Sequence, residues 1–579
     1  MLFVLDINKT TMDIKDIYKY LIAIVAVVAI AFCVFSDNFF FRLDLTQEKR
    51  YSISDNTKNM LRNADGDISV VVYLDGDLNA GFLRLRKATK EMLDEFNVYA
   101  GGGFSYKFVN PSAADNAKAR DKKYEELEKR GLRRIPVYDK DAEGNPTMKV
   151  VFPWAEISYK ETSGKKVTRP VCLLKNVQGK SGEENLNLSE QSLEYELTNV
   201  LRLLVDKRDT RVAFLEGHGE WPEQYVYDFT KTLSEYYSID FGAISNRTDV
   251  LDAYAAVIVA GPTSALPEKD KYVLDQYIMN GGKVLWLVDA VKISLDSLSK
   301  ESQTIGIVNS VNLDDQLFRY GVRINPVLLQ DVQCSMIPVN MAREGDAPDF
   351  KPAPWYYSPL LITNPYHTIS KNVTPVKTEF VSSMDFVGDT TKIEKTPLLL
   401  TSSSTHVQTI PSIVSMDIIN VEKTGYYFNI RNMMTAALLE GQFTSVFKNR
   451  MIPEGIKTTT TKKDSSVPTK MIVVADADVI RNEVQGYGAN AQVLPLGYDQ
   501  YMNQQFGNSD FLLNSVNYLT DDDGWMQLRN REVKLRLLNK ASSIGARQFW
   551  QILNVLLPVL LLGIFAAIYL FLRKKKYTH

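Results

Sequence analysis

Arg211-Val-Ala-Phe-Leu-Glu-Gly-His-Gly-Glu220 is an apolar run that ends in a short glycine-bounded loop. The pattern recurs downstream. Ala256-Val-Ile-Val-Ala260 runs into Gly261-Pro-Thr-Ser264, and Lys283-Val-Leu-Trp-Leu-Val288 runs into Asp289. Short β-branched runs of this kind read as strands covered on both faces. Helical patterns lie between them, near Tyr225–Tyr237 and over Pro267–Asn280, the second stopped by Gly281-Gly282. Strand and helix in alternation predict an α/β fold with a doubly wound parallel sheet.

Toward the N-terminus, residues 68–74 read as a buried strand. A helical pattern follows, with Leu83, Leu85, Ala88, Met92, Leu93 and Phe96 on or near one face. Gly101-Gly102-Gly103 ends it, and Phe104–Val109 is the next strand, giving a β-α-β unit with a parallel crossover. Asp115–Arg130 is charged enough to be a solvated helix. Lys149–Lys160 and Lys166–Leu174 flank a turn at Glu161–Gly164 and predict a hairpin. Asn187 with Glu190 resembles a capping pair, opening a helix whose Leu193, Leu197, Val200, Leu201 and Leu204 share a face.

Toward the C-terminus, Leu313–Tyr320 reads as a short helix stopped by Gly321. Residues 345–365 are rich in Pro and Tyr, and 370–440 look strand-rich and irregular. Lys457–Lys470, full of Thr, Lys and Ser, is expected to be a mobile loop. Met471–Ala475 returns to strand and leads into Asp476 and Asp478. Asp510–Leu519 is helical, and Val533–Leu538 leads toward the membrane.

Membrane attachment is legible at both ends. Leu21–Phe35 and Phe549–Leu572 are apolar stretches long enough to cross a hydrocarbon core of about 30 Å, the first with help from its flanks. Lys9, Lys15 and Lys19 precede the first span, and Arg573, Lys574, Lys575 and Lys576 follow the second. Basic flanks stay cytoplasmic, so both tails are expected inside and the body outside. A cleaved signal peptide is the alternative for the first span; no small-x-small cleavage pattern follows it. A net charge of −2 leaves no electrostatic footprint for nucleic acid. Cys33, Cys172 and Cys334 are too few for a disulfide scaffold, and Cys172 and Cys334 read as two buried thiols rather than a pair.

The chemistry-bearing loop is Glu216-Gly217-His218-Gly219-Glu220, at the carboxyl end of a predicted strand, where open α/β sheets place ligands. The glycines let backbone approach a ligand, and Glu216 or Glu220 can orient His218. The competing reading is a tight turn in which His218 serves local backbone groups. Asp289, Asp476 and Asp478 also follow strands, where carboxylates bind hydroxyls or cap loops. Asp521-Asp-Asp-Gly524 lacks the spaced ligands of a calcium loop and reads as a turn. There is no P-loop, no Gly-x-Ser-x-Gly elbow and no zinc-like spacing. The residues therefore predict no cofactor, no metal and no catalytic centre. Gln551, Asn554 and Pro558 within the second apolar stretch point to packing against a partner helix.

Several stretches resemble the GldG family of gliding-motility-associated ABC transporter components: Arg42-Leu-Asp-Leu-Thr-Gln-Glu-Lys-Arg-Tyr-Ser52, Phe214–Glu220, Ala260–Ser264, Leu317-Phe-Arg-Tyr-Gly-Val-Arg-Ile-Asn325, Gly507–Tyr518 and the terminal span. The resemblance implies a bacterial inner-membrane protein with a periplasmic body, a GldF-like permease and a GldA-like ATPase as partners. It also implies a central domain like glutamine amidotransferases or flavodoxin, without the catalytic cysteine. Domains are expected at 42–185 (α/β), 186–345 (doubly wound) and 346–546 (α+β), between spans at 20–41 and 547–572. A glycan- or peptide-binding module, with Glu216–Glu220 and Asp289 as contacts, is the alternative function.

Overall fold

The computed structural model describes residues 53–577, apart from 115, 141–144, 178, 206–209, 341, 343–346, 389–390, 460, 487–491 and 531–545. The first expected span and Val533–Leu538 lie outside the described residues.

The chain enters through helix α1 (Asp55–Arg62), capped by the Ser54 side chain. Strand β1 (Asp67–Val72) follows, with Ile68, Val70 and Val72 buried in alternation. Helix α2 (Ala80–Tyr99) buries Phe82, Leu85, Leu93 and Phe96 on one face, and Asn79 caps its start. The expected β-α-β unit is present: β2 (Phe104–Phe108) pairs parallel to β1. Helix α3 (Ala117–Lys129) is largely solvated, as its charge predicted.

The stretch expected as one strand over Lys149–Lys160 is two. Strand β4 (Pro146–Val151) pairs with β3 (Ile135–Lys140) in a separate ribbon, whereas β5 (Trp154–Lys160) joins the sheet. Pro153 has no N–H to donate to a ladder, so it sits at the break. The hairpin of β5 with β6 (Lys166–Cys172) is as expected, and the sheet order is β2-β1-β5-β6.

Helix α4 (Gly182–Val205) starts five residues before the expected cap. Its capping box is Ser181 with Glu184: the Ser181 N–H donates to Glu184 Oε2 at 2.7 Å and the Glu184 N–H to Ser181 Oγ at 3.3 Å. Asn187 and Glu190 instead hold the Arg84 guanidinium, at 2.8 and 2.7 Å. Leu193, Leu197, Leu201 and Leu204 of α4 belong to the core of this first sheet, alongside α1 and α2.

The second sheet is larger. Strands β7 (Arg211–Glu216), β8 (Ser238–Ala243), β9 (Ala256–Ala260) and β10 (Val284–Leu287) are all parallel. Between and after them come α5 (Tyr227–Leu233), α6 (Glu268–Met279) and α7 (Asp314–Tyr320), the last ended by left-handed Gly321. The strands β11 (Cys334–Asn340), β12 (Phe350–Thr363), β13 (Ile393–Leu400), β14 (Met434–Gly441) and β15 (Thr469–Val474) complete the order β11-β12-β13-β14-β15-β10-β9-β7-β8. β15 is parallel to β10 and antiparallel to β14, so the sheet changes character at β15. It draws strands from both sides of residue 345.

Every residue of β9 and β10 is buried because both faces are covered. Phe214, Ile258, Leu285 and Ile472 share one core with residues of α5 and of α8 (Asn508–Thr520). Val257, Val284, Trp286 and Val473 share the other with α6 and α7. A buried core side chain of this size contributes about 1.5–3 kcal/mol.

Lys457–Lys470 is not free. Lys457 N–H donates to Asn246 O at 2.7 Å, Ser466 N–H to Phe443 O at 2.8 Å, and Lys462 Nζ to Phe447 O at 2.8 Å. Polar composition suggested mobility, but these polar groups bond to the body. Helix α9 (Arg547–Tyr577) is long and apolar enough to cross a membrane, and none of its apolar part is buried.

Candidate functional site

The carboxyl ends of the parallel strands β7, β9, β10 and β15 bring four loops together. The loop after β7 turns through Gly217 (φ +113°) and Gly219 (φ +79°). A Cβ on Gly219 would lie 2.1 Å from Thr263 Oγ1, so no other residue fits without moving Thr263. The loop after β9 closes on it: the N–H groups of Thr263 and Ser264 donate to His218 O at 3.0 and 2.8 Å.

His218 is 4% exposed and held on three sides. Its Nδ1 meets Glu220 Oε1 at 2.9 Å, its Nε2 meets Asp270 Oδ2 of α6 at 2.9 Å, and its backbone N–H donates to Glu220 Oε2 at 2.7 Å. The hydrogen bond to Glu220, and then that to Asp270, raise the His218 pKa above its usual value against the cost of burial. Both ring nitrogens of His218 are thus clasped between the side chains of Glu220 and Asp270. Of the residues singled out in the sequence, Glu216, Gly217 and Gly219 are exposed, and His218 and Glu220 are buried.

Asp289 is a few residues of sheet away. Its Oδ1 accepts the Ala477 N–H at 2.7 Å, bridging the ends of β10 and β15. Asp476, fully buried, accepts the N–H groups of Glu379 at 2.9 Å and Asp478 at 2.6 Å. Asp289 and Asp476 thus make capping bonds to backbone N–H groups. Yet the three do more than cap. Arg481 pairs with Asp478 at 2.8 Å and Glu379 at 2.7 Å, and its guanidinium lies 5.1 Å from the centre of the Trp221 ring. Burial pushes the carboxyl groups of Asp289, Asp476 and Asp478 well above the ordinary carboxylate range. The same carboxylates raise the pKa of Arg481 against its burial.

Trp221 joins the clasp to this cluster. Its N–H donates to Ala260 O at 2.9 Å, and a Cβ on Gly261 would lie 2.9 Å from its Nε1. That Nε1 is buried without a hydrogen-bond partner among the described residues. Local pattern gave no sign of Trp221, Asp270, Glu379 or Arg481. Asp270 lies inside a helix and Glu379 and Arg481 come from segments 90 or more residues from the loop, so only the folded sheet brings them together.

Among the described residues no three His, Cys, Asp or Glu side chains group as metal ligands. Cys334 is buried, with its thiol pushed up to about 12, and Cys172 is half-buried with its thiol also raised by burial. They are free thiols. The Asp521 carboxylate caps the turn behind it, accepting the N–H groups of Gly524, Trp525 and Met526, as a turn rather than a calcium loop requires.

Residues 209–515 match a family described as ABC-type uncharacterized transport system, and residues 47–158 match a domain of unknown function (DUF7088). No curated protein matches the chain. Among solved structures the chain is similar to one titled mmIFT52 N-terminal domain, at 15% identity and a TM-score of 0.31, over 54% of this chain and 99% of that one. So partial a likeness bears on neither fold nor function.

Proposed function

The chain belongs to the ABC-type uncharacterized transport system family, and from that membership we propose that it is a non-catalytic auxiliary subunit, anchored in the membrane at both ends. The observation that carries this reading is where the body begins and ends. Asn56 of α1 donates through Nδ2 to Asp523 O at 2.9 Å, and Tyr195 stacks on Trp525 with ring centres 5.6 Å apart. The described chain therefore enters and leaves the body at one place, as a mass held by two neighbouring anchors would. Helix α9 supplies the second anchor, and Leu21–Phe35 is read as the first. The basic residues Arg573, Lys574 and Lys575 at the end of α9 favour a cytoplasmic tail and a periplasmic body.

On the same reading the five parallel strands with helices on both faces are a doubly wound unit. The partners are a GldF-like permease and a GldA-like ATPase, and the system serves gliding or another envelope process. Two spans, the second carrying polar Gln551 and Asn554, need further transmembrane helices and an ATPase from elsewhere to form a pump. Two thiols raised by burial and a histidine with both ring nitrogens committed to Glu220 and Asp270 support a body without a nucleophile. The test is co-purification in mild detergent from the native membrane. A multi-span permease should accompany the chain; a monodisperse chain without one would overturn the proposal. Protease added to intact spheroplasts should digest the body.

A ligand-facing role for the carboxyl edge is the second reading. Exposed Glu216 and Gly217, displayed on the buried His218 clasp, favour it over Asp289, whose carboxylate is engaged by Ala477.

A further inference from the structure

Helix α1 has two faces of different use. Thr57 and Leu61 are buried, and Thr57 Oγ1 donates to Glu194 Oε1 of α4 at 3.0 Å. Asn56, Asn59, Met60 and Asn63, at spacings of three and four, form the other face and line a cavity of about 570 Å³. That volume falls within the range of ligand clefts, about 300–1,000 Å³. Thr198, Arg202 and Val205 of α4 line the facing wall, so the cavity is a groove between two helices. It adjoins the amino ends of the parallel strands, remote from the loops that follow them: Lys283, just before β10, pairs with Asp522 at 2.5 Å.

The amides of this face are unspent. Asn56 gives its Nδ2 to Asp523 O, but Asn59 and Asn63 are exposed, and among the described residues their side chains bond to no other residue. Asparagine is a poor helix former, so this face weakens an eight-residue helix with little bonding in return. A carboxamide carries both a donor and an acceptor, which is what one residue of an extended backbone shows along its edge. Asn59 and Asn63 are four residues apart, about 6 Å along the axis at about 1.5 Å per residue. Alternate residues of an extended chain, which turn N–H and C=O to the same edge, recur at about 6.7 Å. Two carboxamides at this interval match two such residues. A sugar suits the groove less. The Trp525 ring is engaged by Tyr195, with ring centres 5.6 Å apart, and by the Arg202 guanidinium 4.0 Å from its centre, and Tyr159 is buried, so little aromatic face is open. Arg202 Nε and Nη2 are themselves buried, so a terminal carboxylate finds no open cation in the lining.

We propose that this groove binds an extended internal segment of a partner polypeptide, its backbone held by the Asn59 and Asn63 carboxamides and an apolar side chain set against Met60 and Val205. This goes beyond the transporter reading and does not rest on it. Peptide capture by the full chain alone needs neither permease nor ATPase, so its failure leaves that reading standing.

The test is photo-cross-linking of the full chain in dodecyl maltoside with the probe acetyl-Ala-photoleucine-Ala-Val-Ala-amide, mapped by mass spectrometry. Labels should fall on Met60, Val205 or their neighbours in α1 and α4. The unlabelled peptide acetyl-Ala-Leu-Ala-Val-Ala-amide should suppress them about tenfold more effectively than its analogue with every internal N–H methylated, the effect of losing one or two hydrogen bonds. Asn59→Ala combined with Asn63→Ala should weaken labelling by a similar factor without lowering Tm, since both positions are exposed and alanine favours the helix. Equal competition by the methylated analogue overturns the proposal, as does labelling that survives the double substitution. Labels on Glu216–Gly219 instead would move the peptide to the sheet edge, and stronger competition by chitotriose would make the ligand a glycan. Tighter binding of the free-ended pentapeptide than of the blocked one would make it a free peptide. Each of these three overturns the assignment.

Discussion

Two buried charge clusters sit on the same sheet edge, and each sets one basic side chain against an excess of carboxyl groups. Around His218, one imidazole lies between two carboxyl groups, and every group is hydrogen-bonded. Around Arg481, one cation faces Asp478 and Glu379 directly, with Asp289 and Asp476 close behind. The first cluster makes a base easier to protonate. The second makes its aspartates harder to ionise, because burial penalises their charged forms. The difference teaches that the loops after these strands are closed by internal electrostatics, and that Glu216, Gly217 and Gly219, with Thr263–Ala265 of the neighbouring loop, are left facing solvent.

Both clusters hold protons that the unfolded chain would release, so both make stability fall as pH rises. The windows differ. The His218 contribution is complete below the ordinary histidine pKa of 6.5 and is lost as pH rises through its raised value. For the aspartates the loss begins at the unfolded value of 3.8 and continues through the raised ones, about 6 for Asp289.

The largest test of the contrast is Arg481→Met. It leaves Asp478 and Glu379 without their cation and should cost about 3–5 kcal/mol in urea unfolding, since breaking one side of a buried pair strands the other. A loss under half of that would mean that the protonated aspartates already neutralise the site. His218→Ala should cost about 2–3 kcal/mol at pH 6, because Glu220 is left buried with part of its bonding gone. That penalty should shrink at higher pH; a constant penalty would show that His218 is neutral in the fold. Gly219→Ala should cost about 1–3 kcal/mol from its left-handed backbone and the clash with Thr263. Adding Thr263→Ala should return part of it in the same thermal melt, and no recovery would assign the whole cost to the backbone. Asp289→Asn mimics the protonated acid and should flatten the stability–pH curve between about pH 4 and 6. Glu216→Ala should change Tm by no more than a surface substitution does, within about 0.5 kcal/mol. A larger effect would bring Glu216 into the clasp and erase the solvent-facing rim.

Much of the parallel half was legible because each strand is a continuous apolar run covered on both faces, followed by glycine or aspartate. The loop at Glu216–Glu220 stood out for the same local reason. Strand β8 did not, since an edge strand with Gly242 and only half-buried residues carries no apolar run. The pairing of β15 with β10 joins residues nearly two hundred positions apart, and no window of sequence contains both. The start of α4 was misplaced because Asn187 and Glu190 have cap-like spacing while serving Arg84. Arg481 and Asp270 were invisible for the same reason as β15: their partners are neighbours only across the sheet.

The contact between α1 and the turn at Trp525 has a mechanical consequence. Load applied through either end of the body arrives at the same seam, where the Asn56–Asp523 bond and the Tyr195–Trp525 stack would be peeled one after another. The two sheets lie outside that line of force. A pull on the two ends of the described body would therefore open this corner first, while the rest travels along unstretched.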